Sequence, residues 1–127
     1  MEVKEIIIPY TRGEIFEGHP IGDEHTGTRY CAESALIEKH RSIRKNPLAF
    51  WWNMGDKCEF ITPSDKRWEY KAVAGWINDY DNIGYEQAKH YCELVRPSVK
   101  ATIRDTRLSK CLGSIWGNHE WLSLIHI

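Results

Sequence analysis

Three short polar clusters hold the residues of this chain best suited to chemistry: Gly22-Asp23-Glu24-His25, Gly55-Asp56 and Gly117-Asn118-His119-Glu120. Singly they are weak signals, since Gly-Asp is a common turn dipeptide and Asn-His after a strand usually serves capping or surface chemistry. Together they supply carboxylates, imidazoles and an amide, each set placed behind a glycine at the end of an apolar run. That is an oxygen and nitrogen donor set without thiolate, and it suits divalent Mn, Fe or Zn.

Such clusters act together only if the chain brings them together. A first β-like stretch covers 3–8 and closes at Pro9, and a second covers 15–21 and stops at Gly22. Over 31–45 the apolar residues Ala32, Ala35, Leu36 and Ile43 recur at helical spacing among Glu, Lys and Arg, which predicts an amphipathic helix ending before Pro47. Residues 48–54 are nearly all apolar between Pro47 and Gly55, the pattern of a strand covered on both faces. The stretch 62–84 reads as a loop with one short helix over 72–77. A second helix is expected over 85–95, with Ala88, Tyr91, Cys92 and Val95 on one side and Pro97 ending or kinking it. A last strand, 111–116, stops at Gly117. This alternation predicts an α/β domain with a layered, largely parallel sheet and flanking helices. In open sheets of that kind the ligand crevice lies beyond the carboxyl ends of the strands, so the three clusters should converge on one site.

In this order the clusters resemble the pattern of the calcineurin-like metallophosphoesterases: Asp23-Glu-His25, then Gly55-Asp56, then Gly117-Asn-His-Glu120. The strings Asn53-Met-Gly-Asp56 and Ile115-Trp-Gly-Asn-His-Glu120 look most like phage and bacterial members. The resemblance implies an α/β/β/α sandwich of which residues 1–121 would form roughly the first half. It also implies two divalent metal ions and phosphoester hydrolysis by a metal-bound hydroxide attacking phosphorus. Two such ions about 3.5–4 Å apart can activate a water and clamp the phosphoryl oxygens on both sides of an in-line displacement. Asp56 would bridge them. Asp23 and His25, at i and i+2 of an extended segment, would reach the first ion, and Asn118 would offer a neutral oxygen to the second. His119 is implied by the resemblance to be no ligand but the group that protonates the leaving oxygen.

The family's later lone His and its Gly-His-x-His element have no counterpart after Glu120. The second ion would then keep only Asp56 and Asn118, so the chain by itself is expected to be nearly inactive. An uncovered sheet face should also make it poorly soluble. Residues 122–127, Leu-Ser-Leu-Ile-His-Ile, match the translation of a sequencing adapter and are expected to be foreign to the domain.

Composition narrows the function classes. A formal net charge of -1 over 127 residues gives no global field for a polyanion, so an anionic phosphoester must be held by a local site. The alternative is a nuclease or phosphodiesterase of the same superfamily acting on nucleic acid, which near-neutral charge disfavours; a non-catalytic structural piece is the third reading. Four cysteines without a C-x-x-C pair, and the lack of a basic-then-apolar leader, read as a reduced, cytoplasmic protein. No apolar run approaches the about 20 residues that cross a bilayer. Cys58 reads as a small buried side chain, and Trp51, Trp52 and Trp116 read as core. Trp68, Tyr70, Trp76 and Tyr80 lie in the long polar segment after Asp56; if any aromatic contacts substrate, it is one of these, and substrate contact is the minor reading for them. Glu59 reads either as a support for the site or as a solvated carboxylate. His40 and His90 read as surface residues of their helices, His19 as a strand residue, and the basic run 39–45 as the wet face of a helix.

Overall fold

The computed structural model describes residues 5–120, so the expectation over 122–127 lies outside the described residues. In chain order the elements are β1 (Glu17–Ile21), α1 (Glu33–Lys45), β2 (Ala49–Asn53), a single 3-10 turn (Tyr70–Ala72), α2 (Ile83–Lys100) and β3 (Cys111–Ser114). The strands form one parallel sheet in the order β1-β2-β3. Each crossover carries one helix, and the right-handed rule for such crossovers puts both helices on the same face. The core agrees: Leu36 and Ile43 of α1 and Tyr91 and Val95 of α2 pack with Ala49 and Trp51 of β2.

β2 is the middle strand, and its burial alternates. Ala49, Trp51 and Asn53 are buried beneath the helices while Phe50 and Trp52 are half-buried on the other face. Cover on both faces, the expectation for an all-apolar strand, is therefore met on one face only among the described residues. On the open face the rings of Phe50 and Trp52 lie 6.2 Å apart and rest against Gly18, which leaves room for them. Pro20 has no N–H to give a ladder and is accommodated because β1 is an edge strand.

The first β-like stretch is not a strand over its described part, 5–8. β3 ends at Ser114, earlier than expected, so Ile115 and Trp116 leave the sheet; Trp116 is 66% exposed rather than core. The 62–84 stretch holds one 3-10 turn at Tyr70–Ala72 instead of a helix over 72–77. It is nonetheless tied down. The N–H of Arg29 donates to Ala72 O at 2.8 Å and that of Ala74 to Gly27 O at 2.9 Å. Ala74, Ile77 and Ile83 form a small core of their own with Trp68, Trp76 and Tyr80 around it.

α2 runs past Pro97, which sits inside the helix. Proline lacks the N–H for one helical bond, but packing of the flanking Val95 and Ser98 carries the helix across the gap. Its buried row is Ile83, Gln87, Tyr91, Val95 and Ser98, and Cys92 is exposed, contrary to expectation. The two polar members are buried because each has a partner: Gln87 Oε1 accepts the N–H of Phe60 at 2.7 Å, and Ser98 Oγ lies 2.9 Å from His40 Nδ1.

His40 is thus a core residue, 3% exposed, not a surface one. It continues the stripe of Leu36 and Ile43 at i+4 and i+7 spacing and stands edge-on to Trp51 at 4.7 Å. His90 is likewise engaged: it stacks on Trp76 at 4.0 Å, and its Nε2 lies 2.9 Å from Glu33 Oε1. His19 is in β1 as expected, and Cys58 is buried, with burial pushing its thiol up to about 12. Among the described residues no helix is long and apolar enough to cross a membrane.

Burial lowers the pKa of His40 to about 4, against about 6.5 for an exposed imidazole. The unfolded chain therefore takes up the proton first, and stability present above pH 6.5 is lost as pH falls from about 6.5 towards 4. The full effect is of the order of 3 kcal/mol. Thermal unfolding followed between pH 7.5 and 4.5 should show this decline, and His40→Leu should flatten it.

Candidate functional site

The three clusters do meet. Beyond the last residues of β1 and β2 the two loops stay hydrogen-bonded side by side: Asp23 N–H to Gly55 O at 3.2 Å, His25 N–H to Asp56 O at 3.0 Å and Thr26 N–H to Lys57 O at 2.9 Å. The donor atoms of Asp23, His25 and Asp56 all lie within 4.8 Å of one another. The donors of His25, Glu59 and His119 form a second, adjoining group within the same limit.

The expected extended geometry of Asp23 and His25 is not what brings them there. Both residues, and Asp56 as well, have left-handed backbones, with φ of 53°, 47° and 51°. Asp and His tolerate this region better than most residues, and each such turn re-aims a side chain that a continuing strand would send to alternate faces. A non-glycine residue held there costs about 1–3 kcal/mol and persists only where its surroundings over-determine it.

The surroundings do so on two sides. On the helix side, Glu24 is buried and accepts from Asn53 Nδ2 at 3.1 and 2.9 Å and from the Tyr91 hydroxyl at 3.2 Å. Asn53 Oδ1 in turn accepts the N–H of Gly55 at 2.8 Å. Burial raises the Glu24 carboxyl pKa, with the Asn53 and Tyr91 hydrogen bonds opposing it, and burial next to Glu24 also pushes the Tyr91 hydroxyl up.

On the β3 side, one carboxylate clasps two loops. Glu120 accepts the N–H groups of Asp56 at 3.0 Å, Lys57 at 2.6 Å and Gly117 at 2.7 Å, with the Lys57 ammonium at 3.3 Å. Burial alone would raise its pKa, but the Lys57 and Gly117 N–H groups, the Lys57 charge and the Asp56 N–H outweigh burial and hold it below the usual range. The loops can approach this closely because two positions lack a side chain. A Cβ on Gly55 would stand 2.8 Å from the Gly117 Cα, and one on Gly117 would overlap Asp56.

The same approach delivers the remaining residues. The His119 N–H donates to Asp56 Oδ1 at 2.9 Å. The Asn118 amide faces the Asp56 carboxylate at 2.7 and 3.0 Å. With its nitrogen on that side it donates to both oxygens. With its oxygen there, the spacing is that of neighbouring ligands on one octahedral cation, about 2.9 Å for metal–oxygen bonds of about 2.0–2.1 Å.

The donor atoms of Asp23, His25 and Asp56 could hold one cation between them. His25 Nδ1 is buried and 2.8 Å from Glu59 Oε2, yet not aligned with it as a hydrogen bond. A carboxylate beside a histidine ring is the usual support for one whose other nitrogen holds a metal. Glu59 is thus a partner of the site and not a solvated group. Its carbonyl oxygen lies 2.6 Å from His119 Nδ1, and because a carbonyl can only accept, Nδ1 carries the hydrogen and Nε2 is left to exchange protons.

Glu24 and Glu120 were not singled out from the sequence, although both stand inside the motifs. The signal for Glu24 was its partner, Asn53, a lone amide in an apolar strand. Comparison with protein-family models, with curated proteins and with solved structures gave no match for this chain.

Removing the space or the clasp should open the site. Gly117→Ala should cost about 1–3 kcal/mol in urea unfolding, as an overpacked contact does. Glu120→Gln keeps the shape but leaves the N–H groups a weaker acceptor, and it should lower stability by about 1–3 kcal/mol. A Glu120→Gln protein as stable as the parent would show that the clasp is not needed.

Proposed function

We propose that the protein is a metal-dependent phosphoester hydrolase of the calcineurin-like metallophosphoesterase type, its parallel sheet corresponding to the first sheet of that layered sandwich. One observation carries the reading. Asp23, His25 and Asp56, from two different loops, bring their donor atoms within 4.8 Å of one another, with Asn118 and His119 held directly on Asp56. The motif order described above and the oxygen–nitrogen donor set support it.

A pair of divalent ions bound there would supply an activated water and neutralise the charge of the phosphoryl group. The residues divide the rest of the work. Asp56 would be the negative ligand that the two ions share, and Asn118 would add an oxygen without adding charge against an anionic substrate. His119, fixed through Nδ1 on the Glu59 carbonyl, presents Nε2 as the donor of a proton to the departing oxygen. Water gives one proton to solvent as its oxygen bonds to phosphorus; the bond to the leaving oxygen breaks, and that oxygen takes the Nε2 proton of a His119 imidazolium, which solvent restores. A second ion held only by Asp56 and Asn118 should bind weakly, and turnover by this chain should then be low.

Titration with Mn²⁺ should find one well-bound ion. Asp23→Ala or Asp56→Asn should weaken it by about 100-fold or more. Hydrolysis of bis(p-nitrophenyl) phosphate, p-nitrophenyl phosphate and single-stranded DNA distinguishes a diesterase, a phosphatase and a nuclease, and Asp56→Asn should abolish whichever is found. No ion bound at saturating Mn²⁺, or activity retained in Asp56→Asn, would sink the proposal.

A further inference from the structure

A cleft of about 640 Å³ opens beside His119, between the chain that follows Asp56 and the start of α2. It reaches Glu59 and His119 but none of Asp23, His25 and Asp56; a shallower depression, also lined by Glu59 and His119, contains Asp23 and His25. The two meet at the proton donor, and the cleft is the more enclosed of them and the one without the residues of the first cation position. If His119 protonates the leaving oxygen, as the proposed function has it, the group attached to that oxygen lies in this cleft.

Its walls define what that group can be. Phe60, Tyr80 and Tyr85 present three rings to it. Tyr80 is held from behind by Trp68, edge-on at 6.1 Å, and by Tyr70 at 5.6 Å, so its plane is fixed before a ligand arrives. Phe60 has a left-handed backbone, φ 51°, which is costly for a bulky residue. It is kept there by the buried Gln87, which accepts its N–H at 2.7 Å. Strain of this kind, held by a buried polar side chain at the edge of a reactive cluster, is characteristic of a binding wall.

The charges point the same way. Glu59, Asp65 and Asp81 line the cleft against a single guanidinium, Arg67, which is itself bonded to Asp65 at 2.7 Å. A second phosphate would meet a net negative wall. The volume is in the range that holds a drug-sized ligand.

We infer that the substrate is a phosphate ester whose leaving group is uncharged, ring-bearing and of nucleoside size, seated between Phe60, Tyr80 and Tyr85. A polynucleotide strand threading the cleft is disfavoured by the Glu59 and Asp81 carboxylates, Asp65 being paired with Arg67.

The test is binding to the full chain in saturating Mn²⁺, by calorimetry, of adenosine 5′-monophosphate, inorganic phosphate and adenosine 3′,5′-bisphosphate. The monophosphate should bind about tenfold tighter than phosphate, the range of one base stacked on aromatic side chains. The bisphosphate should bind more weakly than the monophosphate. Tyr85 is 69% exposed, so Tyr85→Ala leaves the fold intact and should bring the monophosphate down to the level of phosphate without changing phosphate itself. Asp81→Lys should restore the bisphosphate. Equal affinity for monophosphate and phosphate, or a bisphosphate that binds tighter than the monophosphate, overturns the inference. Absence of Mn²⁺-dependent phosphate binding would instead count against the proposed function. In that case adenosine alone decides the cleft: shifts of the Phe60, Tyr80 and Tyr85 amide resonances sustain the assignment, and their absence ends it.

Discussion

The Glu120 carboxylate is the interaction on which the site depends. It accepts three backbone N–H groups from two loops that follow different strands, and it lies behind both Asp56 and Gly117. These are N–H groups that neither loop satisfies through the sheet, and a buried N–H without a partner is costly. A charged acceptor shared among them makes the close approach favourable and holds the left-handed turn at Asp56. Asn118 and His119 arrive at Asp56 because Glu120, two and one residues further on, is already anchored. The glycines permit the approach and the carboxylate enforces it.

Behind that clasp, the helix side of the sheet contributes a second polar support. Glu24, Asn53 and Tyr91 come from the β1 loop, the end of β2 and the middle of α2, and they satisfy one another where water is excluded. Such a network is stable only when every member is paired, and here it reaches the site through the N–H of Gly55. The apolar core of Ile43, Ala49, Trp51 and Val95 sets the distance between helices and sheet, so the network is positioned by packing and not by its own hydrogen bonds alone.

Much of the architecture was legible in the sequence because it rests on periodicity. The apolar run of β2 between Pro47 and Gly55 located the middle strand, and the spacing of Leu36 and Ile43 located α1. The errors have a common cause. His40, Gln87 and Ser98 were buried against type, since each has a specific partner or packing neighbour supplied by another element. Trp116 was exposed against type, because its strand stopped two residues earlier. The length of α2 was underestimated at Pro97, where tertiary packing overrode a local break. Hydrophobic pattern reports average preference, and it is blind to a partner that lies far away in sequence.

The site divides in the same way. The sequence by itself determined which groups exist and that they stand at the ends of successive strands: Asp23, His25, Asp56, Asn118 and His119 are chemically suited donors in a fixed order. Only the tertiary structure decided how they face one another. It turned Asp23, His25 and Asp56 into left-handed conformations, set Glu59 beside His25, and made Glu120 a clasp for two loops. It also placed the aromatic cleft on the His119 side of the cluster. The physical reason is range. Residue type and strand order are local properties of the chain, whereas a donor cluster and its cleft depend on backbone turns fixed by hydrogen bonds between residues as many as 67 positions apart.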